Sequence, residues 1–128
     1  MNRLVAAAAL TGFCGVAFGA FGAHALDGQL TDEARGWWTT ATTYALPHAA
    51  AALAAGLAAR SSRIRLGGWL LVCGAVIFAA SLYAMALGGP RVLGAVTPLG
   101  GLSMLAGWLM LALGAAGRDQ DPADPSPT

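Results

Sequence analysis

The chain has 128 residues, 57% of them hydrophobic and only 10% charged, less than half the roughly 25% charged share of a soluble domain. Its seven arginines, six acidic residues and absent lysines leave a net charge of +1, which excludes a basic surface for nucleic acid. None of the charges falls in residues 4–26, 41–59, 66–90 or 92–117, and each of these segments reaches the ~18-residue length of a membrane span. The expected fold is therefore all-α: an integral membrane four-helix bundle over residues 1–117, with no room for a separate soluble domain.

The first helix is expected over about 4–26. Gly12, Gly15, Gly19 and Gly22 recur at steps of three and four, and Ala8 extends the row by one turn. In water each interior glycine costs about 1 kcal/mol against alanine. In lipid such a seam lets two helix backbones approach closely. Arg3, the apolar run and Ala23-His24-Ala25 also fit a secretory signal with a cleavage site. The length of the run and its glycine seam favour a retained helix instead.

Residues 27–38 read as the first loop. Thr31, Asp32 and Glu33 suggest a short interfacial helix start, and Trp37 and Trp38 are expected as anchors at headgroup depth. The second helix is expected over 41–59, with Pro47 inside it. A start at Pro47 would leave 13 residues, only about 20 Å, against a ~30 Å hydrocarbon core. The proline deprives the Thr43 carbonyl of its usual donor, and the threonines at 39, 40, 42 and 43 can help to satisfy freed backbone groups. Ala45, Ala49, Ala52 and Gly56 form a second small-residue row.

A basic turn, Arg60 to Arg65, leads into a third helix over about 66–88, where Gly67, Gly74, Ser81 and Gly88 step by sevens. Gly89-Pro90 breaks it. The fourth helix is expected over 97–116, with Thr97 as N-cap and Pro98 at the first helical position. Gly100, Gly107 and Gly114 repeat the seven-residue step, which implies left-handed packing at small crossing angles. Residues 118–128 form an Asp- and Pro-rich tail of disordered type. Cys14 and Cys73 match no zinc or redox spacing and read as small buried apolar residues. Cys14-Gly15 and Cys73-Gly74 are a faint internal echo of a kind that an Ala/Gly-rich chain produces cheaply.

Arg3, Arg60, Arg63, Arg65 and Arg118 fall on one side of the expected membrane, and Arg35 and Arg91 on the other. The excess places both termini and the middle turn in the cytoplasm, in a multi-pass protein of the bacterial cytoplasmic membrane.

No span carries Asp, Glu, Lys or Arg, the usual marks of a proton relay or ion pathway. The polar candidates are His24, Tyr44, His48, Ser81, Tyr83 and Thr97. At ~1.5 Å per residue, His24, Tyr83 and Thr97 lie at similar height near the outer face. His48 lies roughly 10 Å deeper, with Ser81 nearer its level and Tyr44 one turn away on its own helix. Two histidines on two helices invite a haem reading, but their unequal heights oppose bis-histidine ligation. The simpler reading has His48 bonding Ser81, Tyr83 or the carbonyl freed by Pro47. The N-terminus of the fourth helix, at Leu99, Gly100 and Gly101, is a weak anion-site candidate.

Several separated stretches together resemble a known family. They are Gly19-Ala-Phe-Gly-Ala-His24-Ala-Leu26, Thr43-Tyr44 with His48-Ala49, Gly68-Trp69, Ser81-Leu82-Tyr83, Thr97-Pro98-Leu99-Gly100-Gly101 and Gly107-Trp108. In this order they resemble the small membrane proteins of domain of unknown function 423, related to the transmembrane protein 256 group. The resemblance covers about residues 1–116. It implies a four-helix integral membrane protein with no established activity, and it argues against signal cleavage at His24. Relatives often carry a serine where this chain has Ala79. The working reading is a non-enzymatic structural, assembly or lipid-interacting protein without a cofactor. Gly12, Gly15, Gly19, Gly22, Gly74, Gly100 and Gly107 are the expected helix-packing residues, in seams that can also serve another subunit, and the expected partners are membrane lipids and a second copy or another membrane protein. The alternatives are a small-solute transporter or channel lined by the polar residues, and a histidine-based cofactor-binding subunit.

Overall fold

The computed structural model describes residues 2–58 and 61–117. Helix α1 is Arg3–His24, α2 is Asp32–Ala58, α3 is Ser62–Ala86 and α4 is Thr97–Ala116, with a 3-10 turn at Arg91–Ala95 leading into α4. Together they make a four-helix bundle organised on α3. Helix α1 packs on α2 and more lightly on α3, α2 packs on α3, and α4 leans on α3 and the 3-10 turn.

The helix starts follow from small polar side chains. Asn2 Oδ1 accepts from the Val5 N–H at 3.3 Å, while its Nδ2 donates to the Gly56 carbonyl at 2.8 Å. One side chain thus caps α1 and ties it to the end of α2. Thr31 Oγ1 accepts from the Ala34 N–H at 3.2 Å, and Asp32 and Glu33 complement the positive end of the helix in its first turn. Helix α2 therefore begins at Asp32 rather than near 41, and most of the expected first loop is helical. Likewise Ser61 Oγ accepts from the Ile64 N–H at 3.3 Å and starts α3 at Ser62 instead of Leu66.

Helix α3 ends in a Schellman motif. The Gly89 N–H reaches the Ala84 carbonyl at 2.8 Å and the Gly88 N–H reaches the Met85 carbonyl at 3.1 Å. Gly88 sits at φ +90°, a conformation that needs glycine, so it closes the helix rather than extending the seven-step row. Helix α4 begins at Thr97 as expected, but Thr97 is not its N-cap. Val96 holds that position without a side-chain cap bond, and the Thr97 hydroxyl is engaged elsewhere. Arg60, Arg118 and the expected tail at 118–128 lie outside the described residues.

Three stretches, Arg3–His24, Ser62–Ala86 and Arg91–Ala116, are long and apolar enough to cross a membrane. Helix α2, with 27 residues, is long enough, but its threonines, Pro47 and His48 dilute its apolar character. It differs in this from the four comparable spans expected from the charge pattern.

The seams are where the helices meet. A Cβ on Gly12 would touch Ala49, one on Gly15 would meet Leu46 at 2.8 Å, and one on Gly19 would meet Thr42 at 3.0 Å, so the α1 seam faces α2. On α3 and α4 the glycines oppose each other. A Cβ on Gly74 would meet the Gly100 carbonyl at 2.7 Å, and one on Gly67 would meet the Gly107 carbonyl at 2.9 Å. Gly114 faces Ile64 in the same way. Leu71, Ala75 and Met104 fill the space beside these close approaches and are all buried. The apolar side chains outside the seams face outward: Leu10, Phe13 and Val16 on α1, and Leu99, Leu102 and Leu105 on α4. Cys14 is half-buried and Cys73 faces outward, so the second cysteine is not the buried residue expected.

A Cβ on Gly100 would lie 2.6 Å from the Phe78 backbone nitrogen, whereas one on Gly101 meets nothing within 4 Å. Gly100→Ala should force α4 off α3 and destabilise the bundle by about 1–3 kcal/mol. Gly101→Ala should be neutral or slightly stabilising, by up to about 1 kcal/mol. Thermal unfolding of the two variants in one detergent measures the contrast.

Candidate functional site

Three separate polar arrangements lie within the bundle, and they take in five of the six candidate residues, all but His24. The first joins α3 to the start of α4. Ser81 Oγ donates to the Phe78 carbonyl at 2.8 Å and stands 2.7 Å from Thr97 Oγ1. Ser81 is buried, at 5% exposure, and the bond to Thr97 satisfies a hydroxyl that hydrocarbon could not solvate. This is why Thr97 is unavailable as a cap.

The second arrangement joins α1, α2 and α3 nearer the Asp32 end of α2. Tyr83 Oη and Thr42 Oγ1 are 2.7 Å apart, and Thr42 Oγ1 also donates to the Trp38 carbonyl at 3.2 Å. Trp38 Nε1–H donates to the Phe18 carbonyl at 2.9 Å. The Trp38 ring packs on Tyr83 at 4.5 Å and edge-on to Phe18 at 6.1 Å between centroids. Gly22 makes the indole bond possible, because a Cβ there would collide with Trp38 Nε1. Trp38 is only 5% exposed, so it is a core residue and not the interfacial anchor expected. Trp37 keeps a surface role. The Arg91 guanidinium lies 5.6 Å over its ring and pairs with Glu33 at 2.8 Å.

The third arrangement faces outward between α2 and α4. His48 Nδ1 donates to the Tyr44 carbonyl at 2.7 Å. Its ring stacks on Tyr44 with centroids 6.0 Å apart and planes within 6°. Trp108 meets His48 edge-on at 6.1 Å, and Phe78 lies 4.9 Å from Tyr44. His48 therefore bonds neither Ser81 nor Tyr83, and it uses the Tyr44 carbonyl rather than the one freed by Pro47. An i-to-i−4 bond is made within one helix and needs no neighbour, which is why it outcompetes a partner on α3.

His24 ends α1 and is exposed, apart from all three. Among the described residues no group of three or more His, Cys, Asp or Glu is placed to hold a metal ion. Sequence reasoning missed Trp38 and Thr42 as polar partners. The available signal was their i, i+4 spacing on α2, a single stripe turned toward α1 and α3.

A family of proteins of unknown function, DUF423, matches over residues 18–101. A UPF0382 membrane protein of Staphylococcus epidermidis is 42% identical over 115 residues, covering 88% of this chain and 94% of its own. The chain belongs to the DUF423 family. A Staphylococcus saprophyticus UPF0382 membrane protein is 40% identical over 116 residues, covering 89% of this chain and 97% of its own. One from Haemophilus influenzae is 38% identical over 118 residues, covering 89% and 94%. No solved structure matches. The DUF423 match contains all six polar candidates and Trp38 and Thr42, whereas Trp108 lies beyond it.

The Thr42–Tyr83 bond gives a direct test of how the bundle is held. Thr42→Val and Tyr83→Phe should each lower stability, and the double variant should cost less than the sum of the two. A double-mutant cycle by detergent unfolding should return a coupling of about 0.6–1.7 kcal/mol, the range for hydrogen bonds between membrane helices.

Proposed function

We propose that this DUF423 protein is a multi-pass component of the bacterial cytoplasmic membrane with a non-enzymatic, lipid-interacting role. The observation that carries the reading is how its polar and apolar surfaces are divided. Ser81, Thr97, Thr42, Tyr83 and Trp38 turn inward and bond one another or the backbone. The flanking helices α1 and α4 turn wide apolar faces outward, from Leu10 to Val16 and from Leu99 to Leu113. That distribution suits a body whose solvent is hydrocarbon, held together inside by its small-residue seams and meeting lipid through apolar side chains.

Helix α2 crosses in this reading despite its lower hydropathy. Its 27 residues span about 40 Å at 1.5 Å per residue, more than the ~30 Å core. The surplus turns carry Asp32, Glu33 and Arg35 into the outer headgroup layer, where charge is tolerated. Arg3, Arg63 and Arg65 then lie at the cytoplasmic end, with the start of α1 and the end of α4 on that side, and Asp27, Glu33 and Arg91 lie at the other.

Labelling of introduced cysteines tests the arrangement, in a chain whose Cys14 and Cys73 are replaced by alanine. Gln29→Cys should react with an impermeant maleimide added to intact cells. Ser61→Cys should react only after the inner membrane is opened. Equal labelling of Gln29→Cys and Ser61→Cys in intact cells would remove the proposed topology.

A further inference from the structure

The outward-facing rings between α2 and α4 are placed where membrane proteins rarely place them. His48 lies ten residues before the end of α2 at Ala58, and Trp108 lies eight before the end of α4 at Ala116. Those separations correspond to about 15 Å and 12 Å along helices that run in the same direction, close to the middle of a ~30 Å core. Tryptophan prefers the interface, and an ionisable ring at mid-depth is costly.

Each of these rings also carries a polar atom with no partner among the described residues. The Tyr44 carbonyl can only accept, so His48 Nδ1 holds a proton, and in the neutral ring Nε2 is left as a hydrogen-bond acceptor. No described residue donates to that Nε2, and it is not among the fully buried atoms, so it keeps accessible surface. The Trp108 Nε1–H likewise has no acceptor among the described residues, and Trp108 is 48% exposed. Lipid tails satisfy neither atom. The ring with the free acceptor and the ring with the free donor meet edge-on, centroids 6.1 Å apart, with the Tyr44 and Phe78 rings adjoining.

The geometry points to a binding site at His48 and Trp108 for a quinol, a neutral hydroxylated ring on an apolar tail. Such a hydroxyl donates to His48 Nε2 and can accept from the Trp108 N–H. The ring packs among the aromatic side chains, where offset and edge contacts are favourable. The tail leaves sideways into the bilayer. A phospholipid does not fit, because bringing its charged headgroup to the midplane is too costly. The oxidised quinone fits less well, since it has no proton to give Nε2. The inference rests on the reading that α2 crosses the membrane, and it concerns binding alone.

The test uses the full chain in lipid nanodiscs, with a decyl-tailed benzoquinol and the matching quinone as probes. Binding is read by equilibrium dialysis against empty nanodiscs. The quinol should bind saturably at one per chain, about tenfold more tightly than the quinone, the factor expected for one hydrogen bond. His48→Phe keeps a ring but removes Nε2 and should abolish that preference. Trp108→Phe should weaken quinol binding several-fold. Circular dichroism and elution volume identify a variant that fails to fold, and the wild-type comparison is decisive without any variant. Partition equal to that of empty nanodiscs, or equal affinity for quinol and quinone, would overturn the proposal. So would a Soret band in the purified protein that His48→Phe removes, since it would assign Nε2 to haem iron. Failure here with the cysteine-labelling pattern intact strikes this site and leaves the topology standing.

Discussion

Helix α3 can occupy the middle of this bundle because α4 approaches it backbone to backbone. At Gly74 and Gly100 the missing side chains leave less than 3 Å for any Cβ, and Gly67 and Gly107 repeat the arrangement two turns away. In hydrocarbon there is no hydrophobic drive to bring helices together, so dispersion at such close contacts and a few hydrogen bonds must suffice. Much else depends on this approach. It brings Thr97 within reach of Ser81, lets Ser103 Oγ reach the Leu70 carbonyl at 2.9 Å, and seats Met104 against Leu71.

On the other side of α3 the same principle works with a different filler. The α1 seam is opposed by side chains of α2 rather than by backbone. Leu46 enters at Gly15, Thr42 at Gly19 and Trp38 at Gly22. The last of these combines packing with polarity, since the space at Gly22 lets an indole N–H reach the Phe18 carbonyl. A large aromatic ring with its donor satisfied is well suited to a membrane interior, because it adds contact area without leaving an unmet polar group. Tyr83 follows the same rule through Thr42.

Against these satisfied groups the outward trio of Tyr44, His48 and Trp108 stands apart. Its histidine is fixed by a bond within its own helix, which leaves the second nitrogen uncommitted. The interior polar residues account for how the bundle holds together. This face is where a lipid-soluble molecule would find something to bind.

How much of this was legible in the sequence divides along one physical line. Chain-local properties were readable: four helices from charge-free lengths, the glycine steps of α1, α3 and α4, and the end of α3 at Gly88-Gly89. Capping by Thr31 and Ser61 was also local, but it moved the starts of α2 and α3 earlier than the charge-free segments implied. What only the tertiary structure decided was which side chain meets which. Trp38 became core because Gly22 opened space on another helix, and Thr97 gave up its cap because Ser81 lay across from it. His48 took the Tyr44 carbonyl one turn back, while Ser81 and Tyr83 bonded Thr97 and Thr42. Periodicity places a residue on a face of its own helix, but a hydrogen bond across helices depends on the rotation and height of its neighbour, which the sequence of one helix does not contain.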